Sequence, residues 1–479
     1  MPHPTDIRPV AATLFILPVT TRTPLKFGRE VVNRVHCARV RLRVRNRAGR
    51  EAEGWAETPL SVTWVWPSTL SFEERERALL AFSGVLAKRW ASFDRIGDPL
   101  EVGHAFQKEA LVDAWRQFNA ASTLAEPMPW LAALVCCSAF DLALHDAFGV
   151  SVGRPVYETY GPDYLNRDLS AYLTPAAGTQ VSFAGRYPRD FFVDPVPTRL
   201  PVWHLVGGLD AVLPGELTGN EPKDGHPVLL ADWIRRDGLK CLKFKLRGDD
   251  FDWDYERTVH VGRIARELEV PWLTADFNCT AESVDYVVGF LDRLMAEHPE
   301  IYKSILYVEQ PFPYDLHRHP LDVHAISARK PLFMDESAHD WEHVALGREL
   351  GWTSVALKTC KTQTGALLAA CWGKAHGMTL MVQDLTNPML AMLPHVQLAA
   401  HVGTIMGVES NAAQFYPQAS EPEAKVHPGL FHRRDGHLTL DSIRGPGFGY
   451  RLEEIGRPLP VPLASFGTPA GEPAVSVSR

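Results

Sequence analysis

Three stretches of the chain end in a carboxylate just where a β-strand should stop. Residues 303–313 run through an apolar segment to Glu309, and Pro311 follows almost at once. Proline cannot donate to a ladder and drives the residue before it extended, which places Glu309 at a strand tip with Gln310 extended behind it. Upstream, residues 270–276 stop at Asp276; downstream, residues 330–335 stop at Asp335. Asp276 precedes Glu309 by 33 residues and Glu309 precedes Asp335 by 26, each enough for one crossover helix and its loops. Three successive parallel strands would then aim three carboxylates at one point. Such a cluster repels itself unless a hard cation sits in it, and Mg²⁺ suits all-oxygen donors. The competing explanation, unrelated acids capping the helices that follow, fits one acid better than three in consecutive units.

The second set is basic. In residues 238–246, Lys243 and Lys245 fall on one face of a strand and Phe244 on the other. Phe244 belongs with an apolar layer under helices, so both lysines point into the interior, where an unpaired ammonium is costly. The carboxylates of the next three strands supply the counter-charge. Lys245 stands nearer the mouth, and the second cation at Lys243 together with a metal would lower its pKa toward that of a usable base. Residues 354–358 end in Lys358, with the small Ser354 and Ala356 on its face, and Lys361 is expected to reach the rim. Lys240 is expected to face solvent. One strand-end lysine is ordinarily a solvated end; lysines opposed across a closed ring of strands are not explained that way.

These residues need a scaffold. The 479 residues are too many for one compact unit of ordinary size, so two domains are expected. Residues 12–19 and 35–45 read as strands, the second alternating Val40, Leu42 and Val44 with an arginine face half in solvent, and residues 51–58 return as its hairpin partner. Residues 59–67, with Trp64 and Trp66, read as an irregular aromatic loop. Ser71 and Glu74 form a capping box, and a helix is expected over 129–148. From about 166 the rhythm changes to strands at 241–246, 272–276, 304–309, 331–335, 353–358, 379–383 and 404–408 alternating with helices. The first strand of this series is residues 169–173 or 201–206, and 174–230 holds a long insertion. Residues 431–438 read as a hairpin with an Asp-Gly turn. The division is therefore 1–165, 166–415 and 416–479, with the tail from Gly467 expected to fray.

The net charge of −8 lacks the basic footprint of a nucleic-acid binder. No run approaches membrane-spanning length, and residues 1–10 lack a secretory pattern, so a cytoplasmic protein is expected. The seven scattered cysteines fit reduced buried thiols.

Taken in order, Lys243-Phe244-Lys245, Asp276-Phe277-Asn278, Glu309-Gln310-Pro311, Asp335-Glu336-Ser337 and Ala356-Leu357-Lys358 resemble the enolase superfamily. The nearest pattern is the muconate-lactonizing-enzyme-like subgroup of the mandelate racemase/muconate lactonizing enzyme family. Residues 141–146 with Gly153-Arg154-Pro155 are similar to its capping-domain helix, and Gly445-Pro446-Gly447-Phe448-Gly449 to its C-terminal return, so the likeness spans nearly the whole chain. The resemblance implies an α/β fold: a modified TIM barrel, (β/α)₇β, with an α+β capping domain built from both chain ends. It implies Mg²⁺ held by Asp276, Glu309 and Asp335. It implies Lys245 and Lys358 as acid/base groups on opposite faces of a small carboxylate, assisted by Lys243, with Asn278 and Glu336 supporting them. Lys361, Asp384, Glu409, Trp64 and Trp66 complete the candidate set, the tryptophans belonging to capping loops at 22–28 and 61–66.

The implied chemistry is removal of the proton next to a carboxylate through an enediolate. Racemisation, epimerisation or cycloisomerisation would follow, with syn-elimination by a lyase as the alternative. Two features depart from the family. Gln383-Asp384 stands where the mandelate-racemase branch carries a histidine, and His376 lies at the wrong end of its strand, as a structural residue would. Glu409-Ser410-Asn411 replaces the paired aspartates of dipeptide epimerases. A barrel that binds carboxylates without turnover is a second reading. A divalent-metal hydrolase is a third, disfavoured because no histidine ends an expected strand. The expected partner is a small carboxylate, with neither nucleic acid nor membrane, in a homo-oligomer.

Overall fold

The computed structural model describes residues 3–27 and 30–467. Gly28, at the end of one expected capping loop, and the tail beyond Gly467 lie outside the described residues. Alternating apolar residues build β2 (Glu30–Asn46), the centre of an antiparallel sheet with β1 (Ile7–Phe27) and β3 (Glu51–Pro59). The other end of the chain adds β13 (Ala464–Gly467) to the free edge of β1. The arginine face of β2 is half in solvent only in part: Arg41 and Arg45 stay partly exposed, while Arg39 and Arg43 are buried. Arg39 is buried, its guanidinium donating to Glu57 at 2.6 Å and to Glu423 of the C-terminal segment at 3.2 Å. Burial still pushes the Glu57 carboxyl up to about 7 against the pull of Arg39.

The helix Phe72–Ala91 starts on the Ser71–Glu74 capping box, as expected. Residues 59–67 are not wholly irregular, since Val62–Val65 forms one helical turn. The helix Trp130–Val152 is long and apolar enough to cross a membrane, contrary to the expectation that no run is. It is the core helix of this domain instead, its apolar window entirely packed inside the protein. It lies so close on β3 that a Cβ at Gly54 would stand 2.2 Å from the Ala143 carbonyl oxygen.

Eight parallel strands follow: β4 (Arg199–Val206), β5 (Cys241–Lys245), β6 (Trp272–Asp276), β7 (Ile305–Glu309), β8 (Leu332–Met334), β9 (Ser354–Leu357), β10 (Thr379–Val382) and β11 (Val408–Glu409). Their order is β10-β9-β8-β7-β6-β5-β4-β11, with helices in the connections: the (β/α)₇β arrangement. Ile405 N–H donates to Leu380 O across the remaining seam at 2.8 Å. Of the two candidates for the first strand, 201–206 is the one used; 169–171 is a single 3₁₀ turn. The Asp435-Gly436 turn forms, with φ of 50° and 69°, closed by an antiparallel bridge between Arg434 and His437, and the strand after it, β12 (His437–Thr439), also pairs with the first residues of β4.

The insertion splits in two. Before β4 it packs on the barrel's outer side, where Thr174 O accepts from Trp372 Nε1 at 2.9 Å and Val193 N–H donates to His401 O at 2.8 Å. After β4 it reaches the mouth, where Arg22 of β1 forks onto Asp224 at 2.6 and 2.9 Å and bonds the carbonyls of His226 and Pro227.

Asp146, buried on the helix Trp130–Val152, accepts from the N–H groups of Trp55 on β3 and Phe448 of the C-terminal return, at 2.8 and 2.7 Å. Gly447 lets that return approach: its φ is +67°, and a Cβ there would stand 2.2 Å from Asp146 Oδ1. Asp146→Ala strands two backbone donors and should cost about 2–4 kcal/mol of stability. A lowered midpoint in chemical unfolding, followed by tryptophan fluorescence, is the expected reading.

Candidate active site

One layer of side chains plugs the barrel: Trp203, Cys241, Tyr307, Phe333, Ala356 and Met381, from six different strands. Side chains two residues apart on a strand share a face. The residues two positions further along these strands are therefore turned to the same interior, nearer the mouth: Leu205, Lys243, Glu309, Asp335, Lys358 and Gln383. Lys245 is two further again, and Asp276 follows the inward Thr274. The ladder sets Lys245 beside Asp276 and Asp276 beside Glu309. Phe244, on the other face of β5, is buried in the outer core as expected.

The charges interlock. Lys243 Nζ stands 2.6 Å from Glu309, 3.0 Å from Glu409 and 3.1 Å from Asp276. Lys245 donates to Asp276, and Lys358 lies 3.0 Å from Asp335 Oδ2 while also donating to the Asp384 carbonyl at 2.8 Å. Lys361, expected at the rim, is buried and donates to the Asp335 carbonyl. Burial alone would raise the Asp276 carboxyl; Lys245 and Lys243 outweigh it and hold it well below the usual carboxylate range. Asp335 is likewise lowered by Lys358 and Lys361 against burial, and Glu409 by Lys243. Glu309 goes the other way, raised by burial and by the Asp276 charge. Burial and the neighbouring Asp335 push Glu336 up to about 7. Burial lowers and the Asp335 carboxylate raises Lys358, with a net rise.

The capping domain closes the space. Leu25, Val32, Val35 and Trp64 line it together with Lys243, Lys245, Lys358 and Asp335, leaving a cavity of about 30 Å³. The Trp64 indole N–H donates to Glu336 at 2.8 Å, and its ring lies 4.9 Å from Lys358 Nζ. Trp66, expected beside a substrate, is instead buried in the apolar core, its carbonyl accepting from Arg75 at 2.7 Å. Asn278 turns outward to a neighbouring crevice, and its backbone N–H holds Asp276 at 2.8 Å. His376 is remote from this chemistry: Nδ1 donates to Trp372 O at 2.8 Å, and Nε2 accepts from Ala176 N at 3.0 Å.

Two supports were not foreseen. Gln310 is not extended but has φ +30°; its buried side-chain oxygen accepts from the N–H groups of Asp335 and Ser337 at 2.9 and 3.1 Å. That hydrogen-bond demand overrides the preference set by Pro311. Gln383 donates to Glu309. Its signal in the sequence was its place two residues after Met381, on the inward face of β10.

Asp276, Glu309 and Asp335 offer only hard oxygen donors, and Asp335 Oδ1 is buried without a hydrogen-bond donor. In type they fit Mg²⁺. As the side chains stand, ammonium groups lie between the carboxylates. Among the described residues no three His, Cys, Asp or Glu groups are arranged to share one ion. A cation held here competes with Lys243 and Lys358 for the same oxygens.

Residues 228–455 match the family model described as enolase C-terminal domain-like. Among curated proteins, none matches this sequence. Solved structures do match over nearly the whole chain. The muconate lactonizing enzyme from Pseudomonas fluorescens, complexed with muconolactone, is 18% identical with a TM-score of 0.58, covering 92% of this chain and 96% of its own. The N-succinyl Arg/Lys racemase from Bacillus cereus gives 15% and 0.59, over 96% and 99%. A member of the enolase superfamily from Roseovarius nubinhibens, complexed with magnesium, gives 19% and 0.58, over 96% and 100%. At such identities the likeness is one of fold.

Removing Lys243 leaves three buried carboxylates short of a counter-charge. In metal-free buffer, Lys243→Met should therefore cost about 3–5 kcal/mol in chemical unfolding. Lys108→Met breaks only an exposed bridge to Glu342 and should cost under about 1 kcal/mol.

Proposed function

We propose that this chain, whose residues 228–455 belong to the enolase C-terminal domain-like family, is an enzyme that moves the proton next to a carboxylate. It takes that proton from one face of a small carboxylic acid and returns one to the other, racemising or epimerising it. The observation that carries the reading is the position of Lys245 and Lys358. They stand at the tips of β5 and β9, with β6, β7 and β8 between, and both line one cavity.

The substrate carboxylate enters among the inward ammonium groups, and its apolar part lies against Leu25, Val32 and Val35 of the cap. A divalent cation held by Asp276, Glu309 and Asp335 would add positive charge at the carboxylate and acidify the adjacent carbon. One of the two lysines, in its neutral form, accepts the proton. The other, as ammonium, donates from the opposite side. Lys243, fixed by Glu309 and Glu409, adds positive charge beneath the carboxylate end. Trp64, held by Glu336, walls the Lys358 side and keeps water out. With only about 30 Å³ between cap and barrel, substrate entry requires the capping strands to give way.

Cycloisomerisation or elimination would begin with the same proton removal but needs one lysine, not an opposed pair. The pair favours return of the proton. The supporting comparisons include both a muconate lactonizing enzyme, complexed with muconolactone, and a racemase.

The test is exchange of the α-proton in D₂O with Mg²⁺ and a library of 2-substituted carboxylates, read by NMR. Lys245→Ala and Lys358→Ala should each lower epimerisation by at least about 100-fold, and chelation of the metal should abolish it. His376→Asn should leave it unchanged. Exchange that persists in the Lys245→Ala/Lys358→Ala double variant sinks the proposal.

A further inference from the structure

Away from the barrel mouth, a cavity of about 620 Å³ opens between the helix Leu230–Asp237 and the segment after β11. Four cations line it: Arg236, Arg433, Arg434 and Lys425. The acids beside them are Asp237 and Glu421. Asp237 is already shared, lying 2.8 Å from Arg236 Nε and 2.7 Å from Arg433 Nη2. One carboxylate between two guanidinium groups leaves a positive charge over.

Arg433 is 6% exposed, and its Nε is buried without a hydrogen-bond partner. Its Nη1 meets Nδ1 of His204 on β4 at 3.0 Å. Burial, together with Arg433 and Arg236, holds His204 well below the usual histidine range, so that ring adds no charge. The ring of Trp233 fixes the two guanidinium groups, which lie 4.4 Å (Arg236) and 5.3 Å (Arg433) from its centre. A buried guanidinium held rigid with a donor unused is costly to keep unless an acceptor arrives. The remaining wall is mixed: Tyr416 and Phe431 are its largest apolar residues, with His226, Ser420 and His432 between them, and the volume falls in the range of small-ligand sites.

We propose that this cavity binds a small organic anion, its carboxylate or phosphate held by Arg433 and Arg236 and its ring-sized apolar body lying against Tyr416 and Phe431. The site is separate from the acid–base cavity and does not depend on the reading of that cavity. Tyr416 is buried in the wall of both, so the two sites share one side chain.

Calorimetric titration of the full chain with phenyl phosphate, inorganic phosphate and benzyl alcohol, with Mg²⁺ present, tests this. Phenyl phosphate should bind, one molecule per chain, at least about tenfold more tightly than inorganic phosphate, and benzyl alcohol should give no heat. Arg236→Ala/Arg434→Ala, with a melting curve to show that the fold is kept, should weaken phenyl phosphate by at least about tenfold. Lys245→Ala/Lys358→Ala should leave it unchanged. Three results would overturn the proposal: no binding to the unaltered chain, equal affinity in the arginine variant, or loss of binding in the lysine variant, which would move the anion into the barrel. Equal affinity for inorganic phosphate would overturn the apolar part of the site.

Discussion

Nine ionisable side chains share one buried ring, and neither sign is tolerable there without the other. Lys243, Lys245, Lys358 and Lys361 lie among Asp276, Glu309, Asp335, Glu336 and Glu409, all less than a tenth exposed. Taking such groups out of water costs several kcal/mol per ion, and attraction offsets it only where the geometry is close and the remaining valences are used. The barrel supplies that geometry. Most of these charges sit at or just past a strand tip whose height is set by the ladder, above the apolar layer that plugs the barrel, and Lys361 follows on the 3₁₀ turn after β9. Polar groups then fill the gaps: Gln383 on Glu309, Gln310 on the backbone of Asp335, Asn411 on Glu409 at 2.7 Å.

The same constraint explains the cap. A ring of charge open to water would be screened and its ammonium groups solvated, so the capping domain presents Leu25, Val32 and Val35 of its sheet and Trp64 of the following helical turn to the mouth. Holding that sheet down requires both ends of the chain. Arg39 on β2 and Arg457 both reach Glu423, the latter at 2.7 and 2.5 Å, and Asp146 ties β3 to the C-terminal return. These joins are buried and polar, so they fix one docking orientation rather than merely adding apolar area.

What the sequence made legible follows from periodicity. A strand that ends in an acid is visible because apolar alternation stops at a known residue, and β5 to β10 lie within a residue or two of their expected spans. Two-residue spacing also gave the inward face of Lys243 and Lys245. The reading failed where tertiary contacts override local preference. Gln310 leaves the conformation that Pro311 favours because its side chain serves two backbone donors. Arg39 leaves solvent because an acid from near the far end of the chain covers it. Trp66 lies in the core and Trp64 at the mouth, although they are two residues apart in one short segment. The helical turn at Val62–Val65 breaks the strand alternation that would have kept them on one face. The insertion likewise could not be placed from sequence, because β4 divides it between the barrel's outer side and its mouth.

The division of labour between the halves bears on how such a site specifies its chemistry. Every titratable group in the ring except those reached through Trp64 is held by barrel backbone, and its partners are other barrel residues. The groups facing it from the cap are mainly apolar, with Arg34 the cation among them, tied to Glu76 at 3.0 Å on the solvent side. Changing a cap residue therefore alters shape and contact area over the cavity without breaking an ion pair inside it. Changing a barrel residue unbalances the charges on which the fold itself relies. In the proposed reading the acid–base apparatus is thus bound to stability, whereas the choice of molecule admitted falls to the capping surface.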